Sequence, residues 1–305
     1  MQIRLEDMMR ENYDEYKALV EEHLLDFMPN VDSKSQILYD AMKYSLTAGG
    51  KRLRPVLLLA ACEFAGGNSA KAIPFACAIE YIHTYSLIHD DLPCMDDDEM
   101  RRGKPTNHMV YGDGIATLAG DGLLNSAFEI MNKNMMLFFD DIPELKKRIN
   151  ASYAISKGAG VQGMIAGQVS DIESENKKCS EEMLEYIHLN KTGELLSVAI
   201  MAGLFLGGAD QEMISKMKIY AENMGLAFQI ADDILDVTGN PDEMGKKPSE
   251  DIKHNKVTYV SMYGLEKSEK KLHELTEKAI ESIADYYDNA EFFRDLVLRL
   301  EKRTK

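Results

Sequence analysis

LLSVAIMAGLFLGGA, residues 195–209, is the longest apolar stretch in the chain. Two readings compete for it: a helix that crosses a membrane, or a helix buried inside a protein. A bilayer core demands about 20 apolar residues, and this stretch falls short of that. Its apolar side chains cover most of a helical circumference, which places it at the centre of a large bundle. Residues 71–89 read the same way. Apolar residues recur at three- and four-residue spacing over 13–28, 36–46, 55–65, 71–92, 113–138, 143–170, 180–207, 210–237 and 266–303. No stretch shows sustained period-two alternation between hairpin turns, so no sheet is expected. Breaks fall at Pro29-Asn30, Gly49-Gly50, Gly66 to Asn68, Gly103 to Pro105, Gly207-Gly208 and Gly239 to Pro248. None is long or polar enough for an interdomain linker. The sequence therefore predicts an all-α fold, a single-domain helical bundle spanning 1–305.

Bulk properties narrow the function. At 305 residues with 45% hydrophobic content, the chain has ample material for one core, near the upper size for which a single core grows. The start, MQIRLEDMMRENYDEYKALV, is too charged for a secretory signal. Cys62, Cys77, Cys94 and Cys179 lack paired metal-ligand spacing and are too few for a disulfide framework. They read as reduced thiols in a cytoplasmic protein. A formal charge of −16 argues against nucleic acid, whose partners supply clustered Lys and Arg. The densest acidic segment lies inside the chain rather than in a terminal tail, which argues against a disordered acidic tail.

That segment is DDLPCMDDDEMRRG, 90–103. A second acidic motif, FQIADDILD, spans 228–236. A helix turns about 100° per residue, so Asp232 and Asp236 share a face, with Phe228 and Gln229 near it. Two carboxylates on one face of an otherwise apolar helix repel unless a cation lies between them, and burying them unpaired costs several kcal/mol. Hard oxygen donors suit Mg²⁺, which takes one or two carboxylates plus substrate phosphates. Asp90 and Asp96 are less tidy, about 120° apart on an ideal helix. Pro93 must kink or end that helix, and a bulge after Leu92 could return Asp96 towards Asp90. Helix geometry leaves Asp96 and Asp97 both open as the distal ligand. Two acidic helix ends that both need cations suggest two helices facing across a cavity, with a highly charged anion such as diphosphate completing the metal shell.

Cations stand near these motifs. GGKRLRP, 49–55, places Lys51 and Arg54 at the start of a helix, a ready anion site. Arg101 and Arg102 can offer forked donors to phosphate oxygens, or neutralise the neighbouring aspartates. His83, about two turns before Asp90, lies on nearly the same face. Lys191-Thr192-Gly193 interrupts an apolar helix, where a kink could free a carbonyl beside a hydroxyl and stabilise positive charge. Lys246, Lys247, Asp251 and Lys256 follow the second motif.

These blocks resemble the trans-isoprenyl diphosphate synthases, also called polyprenyl synthetases. DDLPCMDDDEMRRG is similar to the family's first aspartate-rich motif and FQIADDILD to its second. GGKRLRP, EYIHTYSLIHDDLP, KTGELL and GKKPSEDIKHNKVTY match its other blocks in order, over about 36–260. The resemblance implies the isoprenoid synthase fold, a bundle around a central cavity, usually in a homodimer. Asp90 and Asp96 would bind Mg²⁺, several ions per site, with Asp91 close by. Asp232, Asp233 and Asp236 would hold metal from the opposite side. Lys51, Arg54, His83 and Arg102 would grip isopentenyl diphosphate. Arg101, Lys191, Thr192, Gln229 and Lys246 would contact the allylic diphosphate, with Lys256 a looser match. The family's basic C-terminus has a poor counterpart in Arg299 or the EKRTK tail.

The implied chemistry is ionisation of an allylic diphosphate, attack by the isopentenyl double bond, and proton loss to the released diphosphate. Product length in this family tends to follow the residues just before the first motif, here Tyr85 and Ser86. A tyrosine at this place resembles bacterial-type farnesyl diphosphate synthases, so a C15 product is expected, with geranylgeranyl diphosphate the alternative. A terpene cyclase or head-to-head condensing enzyme would be expected to lack GGKRLRP. A non-catalytic regulatory subunit would not need both aspartate motifs, and an acidic metal-binding scaffold would not need the cations around them.

Overall fold

Residues 195–206 occupy the centre of α10 (Glu194–Gly207), and all of them except Met201 and Phe205 are buried. The computed structural model describes residues 2–175, 177, 179–239, 257–286 and 289–302, with side chains from residue 12 onward. Helix α10 packs chiefly on α3 (Leu53–Phe64), α7 (Ile142–Ala159) and α11 (Gln211–Thr238). Its contact with α3 runs through Gly203, where a Cβ would stand 2.2 Å from the Leu58 carbonyl oxygen. Only glycine lets the two backbones approach this closely. The α3 partner α4 (Ser69–Asp90) packs in turn on α6 (Asp113–Met136).

The remaining helices are α1 (Gln2–His23), α2 (Gln36–Leu46), α5 (Asn107–Tyr111), α8 (Met164–Ser174), α9 (Glu181–Ile187), α12 (Tyr259–Tyr263), α13 (Leu265–Ser282) and α14 (Glu291–Glu301). Short polar side chains start several of them. Asn68 accepts from the Ala70 N–H ahead of α4, Asp141 from Glu144 ahead of α7, and Asp210 from Met213 ahead of α11. These caps satisfy amide donors that have no partner inside the helix. A smaller apolar cluster of Leu184, Leu226, Ile230, Tyr259 and Leu272 ties α9, α11, α12 and α13 together.

The all-α expectation holds, with differences in detail. The helix read over 143–170 is two helices, because Gly160 adopts extended backbone and the chain restarts at Met164. The one read over 266–303 is likewise two, ending at Ser282 and restarting at Glu291. The first helix begins earlier than residue 13 and ends at His23, and Pro55 is the third residue of α3 rather than its first. Among the described residues the sheet content is one hairpin, β1 (Met100–Arg101) with β2 (Lys104–Pro105), too short to leave a period-two signal.

Residues 188–193 form a π-helical turn that joins α9 to α10 without a break. The run Glu181–Gly207 is thereby 27 residues long and, by length and composition, could cross a bilayer. Its most apolar window is 61% buried within the protein, so the reading as a core helix stands.

Candidate active site

The C-terminal end of α4 carries the first acidic cluster. Helix α4 stops at Asp90, three residues before Pro93, and the chain then folds back on itself. The Met95 N–H donates to the Leu92 carbonyl, and the Asp96 N–H donates to the Asp90 carbonyl at 2.9 Å. This turn returns Asp96 to Asp90, while Asp97 takes left-handed backbone (φ 53) and is exposed. Of the two candidates left open by helix geometry, Asp96 is therefore the one brought onto Asp90.

Asp91 behaves differently from its neighbour. It is 3% exposed, and Arg101 Nε donates to both carboxylate oxygens at 2.7 and 2.9 Å, with a further contact at 2.6 Å. Burial holds the Asp91 pKa above the ordinary carboxylate value despite Arg101. Asp233, the second acid of the other pair, is also 3% exposed. It accepts from Gln229 Nε2 at 3.0 Å and from the Tyr259 N–H at 2.8 Å, and His188 Nε2 lies 3.2 Å away. Both Asp-Asp pairs follow one rule. The next residue on a helix points about 100° away from the first, so one carboxylate faces outward and its neighbour faces the scaffold. Asp91 and Asp233, expected among the metal-holding residues, are engaged in holding Arg101 and in tying α11 to α12 and the π turn. Gln229 and Arg101, expected at a diphosphate, are their partners here.

Arg101 and Arg102 ride on the hairpin. Its two loop residues, Arg102 and Gly103, both have positive φ (53 and 74), the two-residue turn that matches strand twist. That conformation delivers the Arg102 guanidinium to the Gly49 carbonyl, which accepts from Nη1. Beneath lies Arg52, a residue the sequence reading passed over. It has left-handed backbone (φ 54) at the start of α3 and is 2% exposed. Arg52 donates to Glu80 at 2.7 Å, to Glu21 at 2.7 Å and to the Leu46 carbonyl at 2.8 Å. Glu80, also missed, is 1% exposed. Arg54 Nη1 lies 3.4 Å from His83 Nε2. Burial lowers the Arg54 pKa to about 10, with Glu80 opposing, Arg102 adding to the fall and Asp232 opposing. Burial, then Arg54 and Arg102, hold His83 well below the ordinary histidine value, so at neutral pH it is an uncharged hydrogen-bonding group. Lys51 is exposed and its carbonyl accepts from Tyr13 Oη at 2.7 Å.

The π turn supplies the third wall. Lys191 Nζ lies 2.6 Å from Asp171 Oδ2. Burial disfavours its ammonium, yet Asp171, then Asp90 and Asp96, together hold its pKa above the usual lysine value. Lys191 thus looks towards the first acidic cluster. Asp171 was not foreseen. It reaches Lys191 because α8 comes against the π turn at Gly167, where a Cβ would stand 2.1 Å from the Lys191 amide nitrogen. The one trace in the sequence is GMIAGQVSD, where Gly163, Gly167 and Asp171 fall four apart and so share one helix face. Asp171, Lys191, Thr192, Gln229, Asp233 and Thr258 line a cavity of about 190 Å³. Lys191 is within electrostatic reach of Asp90 and Asp96, and Arg54 within reach of Asp232. Lys246 and Lys256 lie outside the described residues, as do the last three residues of EKRTK.

The donor set fits a hard divalent cation. Among the described residues no three His, Cys, Asp or Glu converge on a point that could hold a metal alone. Carboxylate pairs of this kind suit Mg²⁺ whose remaining positions are filled by water and phosphate oxygens.

The family model for polyprenyl synthetase matches residues 35–291. A farnesyl diphosphate synthase of Geobacillus stearothermophilus is 46% identical over 261 residues, 85% of this chain and 86% of that protein. A geranylgeranyl diphosphate synthase of Cyanophora paradoxa is 45% identical over 277 residues, 90% of this chain and 89% of that one. Among solved structures, an FPP/GFPP synthase from Zymomonas mobilis superposes with a TM-score of 0.82 at 32% identity, covering 97% of this chain and 98% of its own. By family model, sequence and fold alike, this chain belongs to the polyprenyl synthetase family of prenyltransferases.

Proposed function

We propose that this protein condenses isopentenyl diphosphate with dimethylallyl and geranyl diphosphates, as a single catalytic unit, and releases mainly farnesyl diphosphate. The observation that carries the product length is Tyr85. Its ring is 6% exposed on α4, and burial followed by the nearby Asp90 pushes its pKa up to about 12. The ring therefore stands in dry surroundings directly under the first acidic cluster, where a growing tail would descend. Ser86 turns back to donate to the His83 carbonyl at 2.9 Å. Relatives are named for both C15 and C20 products, which keeps geranylgeranyl diphosphate as the second reading.

In the proposed mechanism Asp90, Asp96, Asp232 and Asp236 would hold magnesium. Bound there, magnesium would supply stabilisation of the charge that develops on the departing diphosphate. Lys191 and Arg101 add fixed positive charge at that leaving group. The allylic carbon–oxygen bond breaks, and Lys191-Thr192 and Gln229 offer carbonyl, hydroxyl and amide dipoles to the allylic cation. Lys51, Arg54, Arg102 and neutral His83 hold isopentenyl diphosphate while its double bond forms the new carbon–carbon bond. The proton lost from the adjacent carbon passes to the released diphosphate. No side chain needs to act as nucleophile.

Incubation with isopentenyl diphosphate, Mg²⁺ and C5, C10 or C15 allylic diphosphates, followed by sizing of the products, tests this reading. A mainly C15 product is expected. In Tyr85→Ala, chains longer than C15 should rise about tenfold relative to the parent, the scale on which an apolar pocket discriminates one added group. A wild-type product of C20, or an unchanged distribution in the variant, would reject Tyr85 as the floor.

We further propose a homodimer. Ile149 and Tyr153 on α7, Val161, and Ile165 and Val169 on α8 are all exposed. These side chains are apolar surface that a second copy would cover. Light scattering on the eluting protein should report twice the chain mass; a monomer at micromolar concentration would reject the dimer. The thiols of all four cysteines are unpaired, in keeping with a reducing compartment such as the cytoplasm.

A further inference from the structure

Tyr85 is held from the side by His89, one turn further along α4. The two rings meet edge to face at 5.6 Å and 83°. The His89 imidazole crosses to α6, where Nε2 lies 3.0 Å from the Thr117 carbonyl oxygen and 3.9 Å from Asp121 Oδ1. A carbonyl can only accept, so Nε2 carries a proton and donates. Space for the ring exists because residue 120 is glycine. A Cβ there would stand 2.1 Å from His89 Nε2 and 2.4 Å from its Cδ2. Gly120 is buried in the interior of α6, where glycine costs about 1 kcal/mol relative to alanine. The notch it leaves is filled by His89.

We propose that His89 is a positioning residue for product length. Seated in the Gly120 notch and tied to Thr117, it props the Tyr85 ring and stops it swinging towards α6 to open room for a longer tail. The inference rests on Tyr85 being the floor of the tail pocket. Neither Gly120 nor the His89 ring belongs to the proposed diphosphate and metal groups, so the prop can be disturbed while condensation continues.

Gly120→Ala expels the ring from its notch, and His89→Ala deletes the prop without adding bulk. Each should raise the share of chains longer than C15 by about tenfold, the scale of Tyr85→Ala itself, if the ring acts wholly through Tyr85. Coupling is the decisive readout, since residues acting through one contact are non-additive. The double variant Tyr85→Ala/Gly120→Ala should make products no longer than Tyr85→Ala alone. If Gly120→Ala fails to fold, the pairing of His89→Ala with Tyr85→Ala carries the same test. Unchanged products in the folded single variants, or additive lengthening in the double, would overturn the prop while Tyr85→Ala still lengthens chains. An inert Tyr85→Ala would instead bring down the pocket-floor reading, and this inference with it.

Discussion

Asp90→Ala and Asp232→Ala are each expected to lower kcat/KM by at least about a thousandfold, equivalent to about 4 kcal/mol of lost transition-state stabilisation. Both residues are half-exposed and neither belongs to the apolar core. Each shares its helix end with a like-charged neighbour, Asp96 or Asp236. Removing one member relieves that repulsion but gives up its attraction to Lys191 or Arg54, so melting in metal-free buffer should change little. Ligand linkage then separates a chemical role from a structural one. Mg²⁺ with inorganic diphosphate should raise the melting temperature of the parent, because anything that binds only the folded state stabilises it. In either variant that rise should be lost. Activity within about tenfold of the parent in either variant would refute the paired-carboxylate model.

How the acids divide their work was only half legible in the sequence. The helical architecture was plain from the spacing of apolar residues, because α10 and α4 are buried on nearly every side. The location of both acidic clusters was equally plain. What could not be read was which acid of each pair belongs to the scaffold. Asp91 and Asp233 look like ligands on paper, and their burial follows from partners far away in sequence, Arg101 on the hairpin and the Tyr259 amide on α12. Asp171 left only the glycine spacing as a trace, since its approach to Lys191 depends on the contact at Gly167. The turn at 91–97 was legible in outline through Pro93, but the choice of Asp96 needed its N–H bond to the Asp90 carbonyl. Tertiary contacts decide the roles of Asp91, Asp233 and Asp171, while a local backbone bond closes the turn that selects Asp96.

Glu80→Gln is expected to separate stability from anion binding. The Glu80 carboxylate is the buried counter-charge under a group of cations. Arg52 donates to it directly at 2.7 Å, and it also acts electrostatically on Arg54 and Arg102. Among the described residues its second oxygen is buried without a hydrogen-bond partner, so its contribution beyond Arg52 is charge rather than a second bond. Glutamine keeps the shape and one acceptor but removes the negative charge. Breaking a buried ion pair from one side typically costs about 3–5 kcal/mol, because the other charge stays buried. Arg52 keeps its contacts to Glu21 and Leu46, which places the loss near the lower end, about 3 kcal/mol, or a melting temperature lower by about 6 °C for a chain of this size. The sign reverses for binding. With the negative charge gone, Arg54 and Arg102 present a more positive face, so an added diphosphate relieves more repulsion than in the parent. Inorganic diphosphate should therefore raise the melting temperature of Glu80→Gln by more than it raises that of the parent. An unaltered melting temperature in the variant would show that Glu80 carries no counter-charge role. A smaller rise with diphosphate than the parent gives would place Arg54 and Arg102 outside the anion site.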